Sequence, residues 1–478
     1  MEDDKKLQNT TKNKDEKNKY EKNKETVNLP VSELSQQAEQ ETFLLIGNVH
    51  ANLPALNAVL EDASNRDISE IWNVGDITGY GAFPNDVVRR LRNEKVLNIT
   101  GNYDRSVLKI KKKRYEDGIE KKNLYEDLNS IKWVYDNISK KNRRYLKSLP
   151  KRLRLEIGGK RILLTHNLPG TEQIFPETSD DKLRKFAHLA DADVIIFGNS
   201  HSQFSRYVDN VLFINPGGIG IQDNGDRRAS YATLRTNPFE VKHYLVDYDV
   251  EKAVVAIREN YLPEIFAEMT LRGLSQDAVA QELSKNNEII FEEILQTACR
   301  FNYDGEHGKQ VSRLAMRLFD ELRELHGLGI VERFWLKCAS ILHDIGLIEG
   351  QKGHHKTSLR IILAGQQFPF DERERNIVGS IARYHRKKLP KERHPNFVAL
   401  HRGEMQKVRV LSAILRVADG LDFTQQSIVR DITCDITPEK VIINCIVSGE
   451  AERDKERAIK KGDMFEKVFN RFLTISFA

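Results

Sequence analysis

Histidines, aspartates and side-chain amides recur along the first half of the chain in short polar knots: Asn48-Val49-His50, Gly75-Asp76, Gly101-Asn102-Tyr103-Asp104, His166 and Gly198-Asn199-Ser200-His201. A carboxylate among neutral nitrogen and oxygen donors is the mixture that a pair of adjacent divalent ions requires. The carboxylate bridges, and imidazoles and amides fill the remaining positions. Asp76 is the candidate bridge, with His50, Asn102, His166 and His201 around it. Singly, each knot is an ordinary turn or a packed histidine; five in order are a different matter.

A second set lies in the other half. His343-Asp344 closes the apolar run Phe334 to Leu342, Glu306-His307 precedes a long amphipathic stretch, and Asp419 falls inside the run Val408 to Leu421. Imidazoles and carboxylates projecting from facing helices can hold a metal inside a bundle, which makes His307, His343, Asp344 and Asp419 candidate ligands. His343 and Asp344 are also the candidates for a direct part in catalysis. His354, His355 and His385 could serve a second ion or a substrate phosphate. Flanked by Lys and Arg, as in Arg383-Tyr384-His385-Arg386-Lys387-Lys388, these histidines read more readily as part of a solvated basic surface. Arg386, Lys387, Lys388, Arg409 and Arg416 are available for phosphate oxygens.

These side chains need elements to position them. From Thr42, short apolar runs (Phe43 to Ile46, Ile71 to Val74, Val96 to Ile99) alternate with helical patterns at Ala55 to Leu60 and Val87 to Leu91. Further strands are expected at Arg161 to Thr165, Val194 to Phe197, Val211 to Ile214, Ala229 to Leu234 and Val241 to Val246. This rhythm predicts an α/β layered sheet, with the polar knots at strand ends, where such sheets present ligands. Beyond Asn286 the pattern is helical: Ile289 to Cys299, Gln310 to Leu325, Glu332 to Leu342, Lys356 to Leu363, Glu372 to Tyr384 and Gln406 to Leu421. Ile432 to Ile436 and Val441 to Val447 read as a hairpin, followed by a last helical stretch. The expected division is a disordered tail over 1–41, an α/β domain over 42–272, a linker over 273–285 and a mostly helical domain over 286–478.

At 478 residues the chain exceeds what one core supports. Its 40% hydrophobic and 30% charged residues are those of a globular protein. No run approaches the roughly 20 apolar residues that span a bilayer, and the N-terminus lacks a signal-peptide core, so the expectation is a cytoplasmic protein without membrane contact. A net charge of +5 is modest for this length and does not indicate nucleic acid. Cys299, Cys338, Cys434 and Cys445 form no CxxC pair and read as buried thiols.

Residues 42 to about 272 resemble the calcineurin-like metallophosphoesterases, particularly their small bacterial and archaeal phosphodiesterase branch, whose pattern is DxH, GD, GNH, H and GHxH. Ala51-Asn52-Leu53-Pro54-Ala55-Leu56, Gly75-Asp76-Ile77-Thr78-Gly79-Tyr80-Gly81 and Asn215-Pro216-Gly217-Gly218 carry the similarity outside the ligands. The resemblance implies two ions, commonly manganese, iron or zinc, that activate water against a phosphate ester. Three positions depart from the pattern. Asn48 stands for the first Asp, Asn199 for the first His of GHxH, and Tyr103 for the His of GNH, which in the family contacts phosphate and assists the leaving group. Asn48 remains a candidate ligand through its amide oxygen, and Tyr103 a candidate catalytic side chain of weaker acidity.

The order His307, His343-Asp344, Asp419 resembles the HD superfamily. Residues 286 to 472 are similar to the C-terminal helical domain of the exopolyphosphatase and guanosine pentaphosphate phosphohydrolase family, through Leu325-His326-Gly327-Leu328, His354-His355-Lys356-Thr357-Ser358, Arg383-Tyr384-His385-Arg386 and the run Ala413 to Asp422. That family's actin-like kinase-fold half is absent. HD enzymes use manganese, magnesium, zinc or iron. The implied function is a metal-dependent phosphohydrolase acting on a nucleotide, polyphosphate or other phosphorylated small molecule, with the HD site as the working centre. Two alternatives stand beside it: a nucleotide or polyphosphate sensor without turnover, and a phosphodiesterase active only in the first domain. The metal, the substrate and any homo-oligomer are left open.

Overall fold

In the strand Thr42–Ile46, Phe43 and Leu45 enter one apolar cluster while Leu44 and Ile46 enter another. Burial on both faces is what a strand inside a layered sheet requires. The computed structural model describes residues 26–28, 42–110, 124–168, 173–301 and 305–477. It divides into two compact units, one formed mainly by residues up to Val254 together with Glu268–Ser275, the other mainly by Val255–Ala267 and Gln276 onward.

The first unit contains strands β1 (Thr26–Asn28), β2 (Thr42–Ile46), β3 (Glu70–Asn73), β4 (Leu97–Asn98), β5 (Arg152–Ile157), β6 (Lys160–Thr165), β7 (Val194–Phe197), β8 (Phe204–Val208), β9 (Val211–Asn215), β10 (Ala229–Thr236) and β11 (Phe239–Val246). They form a six-stranded sheet in the order β1-β5-β6-β7-β9-β8 and a five-stranded sheet in the order β11-β10-β2-β3-β4. Trp72 and Val74 from one sheet meet Leu164 and Ile196 from the other in a shared core. The outer faces are covered by helices, among them Leu53–Ser64 and Pro84–Asn93 on one side and Asp180–Ala190 on the other. Because β2, β3 and β4 run parallel in one sheet, and β6, β7 and β9 in the other, the loops at their C-terminal ends share an edge within each sheet.

Most of the expected tail lies outside the described residues. Within it, Thr26–Asn28 pairs in parallel with Arg152–Arg154, so this part is strand rather than disordered chain. The expected linker is also structured. Residues 276–285 are the first turns of the helix Gln276–Cys299, where Val279 is buried. The alternation of polar and small apolar residues there hid a usable helical face.

The second unit is a bundle built on Gly305–Glu321, Ile330–Leu342, His354–Ala364, Glu372–Arg383 and Arg402–Gly420, around a core that includes Phe319, Trp335, Ile381 and Leu415. The expected hairpin is present as β12 (Val429–Ile436) and β13 (Lys440–Val447). After the helices Glu452–Lys461 and Asp463–Phe469, β14 (Phe472–Phe477) adds in parallel to β13, making a three-stranded sheet instead of a hairpin alone. Residues 255–267 join this unit through a buried ionic knot. Lys407 Nζ lies 2.9 Å from Glu332 and 3.5 Å from Glu264, while Glu264 accepts from Arg258 at 2.9 Å and pairs with Arg373 at 2.8 Å. Three acids (Glu264, Glu332, Glu404) and three bases (Arg258, Arg373, Lys407) balance, as charges removed from water must.

Candidate metal centres

In the first unit, Asn48, His50, Ala51, Asp76, Asn199 and His201 all have φ between 45° and 73°. Left-handed backbone at non-glycine residues costs energy, and its concentration on the loops after β2, β3 and β7 marks them as shaped for a site. Asp104, in the first turn of the helix Asn102–Lys109, holds two of the loops in place. Its carboxylate accepts from Ile77 N, Thr78 N, Thr78 Oγ1 and Gly101 N at 2.9–3.2 Å. Gly101 is required at its position, since a Cβ there would lie 2.0 Å from Asp76 Oδ1.

Asp76 sits at the centre. Its Oδ1 accepts from Tyr103 N at 2.8 Å, and its Oδ2 lies 3.2 Å from His166 Nε2 and 3.8 Å from His50 Nε2. Burial opposes ionisation of Asp76, yet His166 and His50 hold its pKa below the usual carboxylate range. Burial lowers His50 to about 3, a neutral imidazole suited to ligation. Among the described residues, neither His50 nitrogen has a hydrogen-bond partner, and neither does the buried Asn48 Oδ1, whose Nδ2 donates to Gly217 O at 3.1 Å. Buried unsatisfied polar atoms are uncommon, and here they are donor atoms of the expected metal-ligating kind. His201 Nδ1 lies 3.1 Å from Asp223, an arrangement that orients the imidazole as a ligand.

The other side of Asp76 differs. Asn102 Oδ1 accepts from Asn167 Nδ2 at 3.0 Å and also from Arg105, while Asn102 Nδ2 donates to Asn199 Oδ1 at 3.3 Å. Tyr103 turns its ring edge to His50, with centroids 5.1 Å apart, and its hydroxyl bonds that of Tyr80. The sequence reading gave no role to Tyr80, Arg105, Asn167 or Asp223.

In the helical unit two ligand triples are present. Among the described residues, His307, His343 and Asp419 form one, and Asp344, His354 and His385 the other; within each, the ligand atoms lie no more than 4.8 Å apart. His343 Nδ1 is fixed on Ser340 O at 2.7 Å, leaving a buried Nε2 without a hydrogen-bond partner among the described residues. His307 Nδ1 lies 2.8 Å from Asp422. Burial would lower the His307 pKa, but Asp419 and Asp422 raise it to about 10. Asp344 lies between the triples, 3.5 Å from His343 Nε2 through Oδ2 and 3.1 Å from His354 Nε2 through Oδ1. A carboxylate with one oxygen toward each set of imidazoles fits two neighbouring ions.

The reading of His354, His355 and His385 as a solvated basic surface is overturned: all three are buried. His354 and His385 open and follow helices, so their rings turn inward while Lys387 and Lys388 stay exposed. His355 stands apart from both triples, and burial followed by His354, Arg386 and Lys387 lowers its pKa to about 4. Of the expected phosphate-binding residues, Arg386 lies at the site, with Nη1 3.1 Å from His354 Nε2. Arg416 does not serve there. It is buried and donates to Lys461 O, Tyr384 O and Asp463. Arg409 rests over the Phe397 ring. The sequence reading also gave no role to Asp422, which lies three residues after Asp419, just past the end of the helix Arg402–Gly420, or to Lys461, whose ammonium pairs with Asp419 Oδ2.

Comparison with known proteins agrees with this division. Residues 42–238 match the family model of the calcineurin-like phosphoesterase superfamily domain, and residues 292–452 match domain III of Ppx/GppA phosphatase. An uncharacterised protein of Methanocaldococcus jannaschii, MJ0912, is 33% identical over 248 residues, which is 48% of this chain and 97% of that protein. Among solved structures, a metallophosphoesterase from Sphaerobacter thermophilus is 26% identical with a TM-score of 0.41, covering 49% of this chain and all of its own. A hypothetical protein from Pyrococcus horikoshii is 21% identical with a TM-score of 0.46, over 48% of this chain and 98% of its own. Both matched families are phosphoester hydrolases in general terms, and no helix among the described residues is long and apolar enough to cross a membrane. The chain belongs to the calcineurin-like phosphoesterase superfamily through residues 42–238 and joins to that domain, at 292–452, a Ppx/GppA-type domain III.

Proposed function

We propose that the chain is a metal-dependent phosphohydrolase whose working site is the histidine–aspartate cluster of the helical unit, acting on a nucleotide or another polyanionic phosphate ester. The observation that carries this reading is the pair of ligand triples to which the adjacent residues His343 and Asp344 contribute one each. His307, His343 and Asp419 would hold one divalent ion; Asp344, His354 and His385 would hold a second. Such ions supply charge stabilisation at phosphoryl oxygens and activation of water. Asp422 and the Ser340 carbonyl orient the imidazoles of His307 and His343. Arg386, with Lys387 beside it, provides cations for the remaining oxygens of a polyanion.

A sensor without turnover is the second reading, and one observation favours it: Lys461 already neutralises Asp419. Manganese-supplemented hydrolysis of phosphodiester, nucleotide and polyphosphate substrates separates the two. Turnover lost in Asp344→Ala supports the enzyme. Tight nucleotide binding without turnover in the unaltered chain supports the sensor.

A further inference from the structure

We infer that the metallophosphoesterase centre of this chain holds a single divalent ion, bound by Asn48, His50, Asp76 and His201, and that its second metal position has been replaced by a hydrogen-bonded amide ladder. The inference is independent of which domain hydrolyses substrate.

The first position keeps the donor atoms an ion needs. Asn48 Oδ1 and His50 Nε2 are buried and have no hydrogen-bond partner among the described residues, and His50 Nε2 lies 3.8 Å from Asp76 Oδ2. The His201 ring packs edge-on to that of His50 at 5.4 Å between centroids, with Asp223 fixing its Nδ1 and leaving Nε2 for the ion. Gly79 permits this packing, because a Cβ there would fall 2.3 Å from His50 Nδ1. Two imidazoles, one carboxylate and one amide oxygen make an ordinary mononuclear shell for manganese, iron or zinc.

The second position keeps one open donor, His166 Nε2, 3.2 Å from Asp76 Oδ2, but its other donors are taken up. The Asn102 carbonyl oxygen, the atom a metal would require, already accepts from the Asn167 amide and the Arg105 guanidinium. The Asn102 amide nitrogen is spent on Asn199 Oδ1, and Asn199 stands where an imidazole would have to enter. Arg105 also donates to Thr100 O, so its cation is anchored beside this position.

Charge leads to the same conclusion. Two divalent ions bring four positive charges, and among the described residues Asp76 is the sole carboxylate in the two shells; Asp223 acts one bond further out, through His201. The oxygens of Asp104 are taken up by backbone amides and Thr78. A buried pair of ions so weakly neutralised, with a guanidinium alongside, is strongly disfavoured, whereas one ion is not.

The test is manganese stoichiometry and electron paramagnetic resonance on the full-length chain. Replacing Asp76 by Ala should lower bound manganese by about one ion per chain, not two. In a His343→Ala/Asp344→Ala chain, which silences the helical unit, the remaining manganese should give a six-line spectrum without exchange coupling. A loss of about two ions in Asp76→Ala, or an exchange-coupled pair with Asn199 intact, would overturn the inference. So would no loss of manganese in Asp76→Ala.

Discussion

His343 and Asp344 are neighbours in the chain but serve different ligand sets: His343 joins His307 and Asp419, and Asp344 lies 3.1 Å from His354 and 3.5 Å from His385. The end of the helix Ile330–Leu342 allows this, because the His343 backbone is still helical while Asp344 has left the helix. Substituting either residue should therefore remove a different ion. Metal analysis should find partial loss in each single variant, and both should lose at least about 100-fold in hydrolysis.

Asp422 supports His307 without belonging to either triple. Asp422→Asn should weaken metal affinity by about 10- to 100-fold while leaving the fold intact, as removal of an orienting partner does. Calorimetric titration of manganese, with circular dichroism alongside, checks both parts.

Much of this was legible in the sequence. The strand-end knots and the spacing of His307, His343-Asp344 and Asp419 are local or one-dimensional features; the structure draws His307, His343 and Asp419 together and sets Asp344 with His354 and His385. What stayed hidden depends on tertiary distance or on which face of a helix turns inward. Arg416 looks like a phosphate ligand until its donors are found on Lys461, Tyr384 and Asp463. His385, set among Arg and Lys, looks exposed until the end of the helix Glu372–Arg383 turns it into the core. Lys461 lies 42 residues from Asp419, and no periodicity could have joined them. The amide ladder of Asn102, Asn167 and Asn199 is hidden for the same reason, since its members follow three different strands.

Lys461 and a metal ion compete for Asp419. Lys461→Met should lower the melting temperature of the metal-free protein, because a largely buried carboxylate loses its ammonium partner. Added manganese should then raise the melting temperature more in the variant than in the unaltered chain. Equal metal-induced shifts in the two proteins would count against this competition.

Glu264 is fully buried; burial opposes its ionisation, but Lys407, Arg373 and Arg258 hold its pKa below the ordinary glutamate value. A depressed folded pKa means that the stabilisation is complete above the unfolded value of about 4.3 and is lost as pH falls through the folded value. Glu264→Gln should cost about 3 kcal/mol at pH 7, and the gap between variant and unaltered chain should close as the pH is lowered below about 4. Denaturant melts at a series of pH values measure that gap.

Under the proposed function, phosphoester hydrolysis takes place at the helical cluster rather than at the metallophosphoesterase loops. The most direct measurement is the turnover number of Asp344→Ala and Asp76→Ala, side by side with the unaltered chain, on one phosphorylated substrate with manganese. Asp344→Ala is expected to abolish turnover while Asp76→Ala retains most of it. Full activity in Asp344→Ala with none in Asp76→Ala would contradict it.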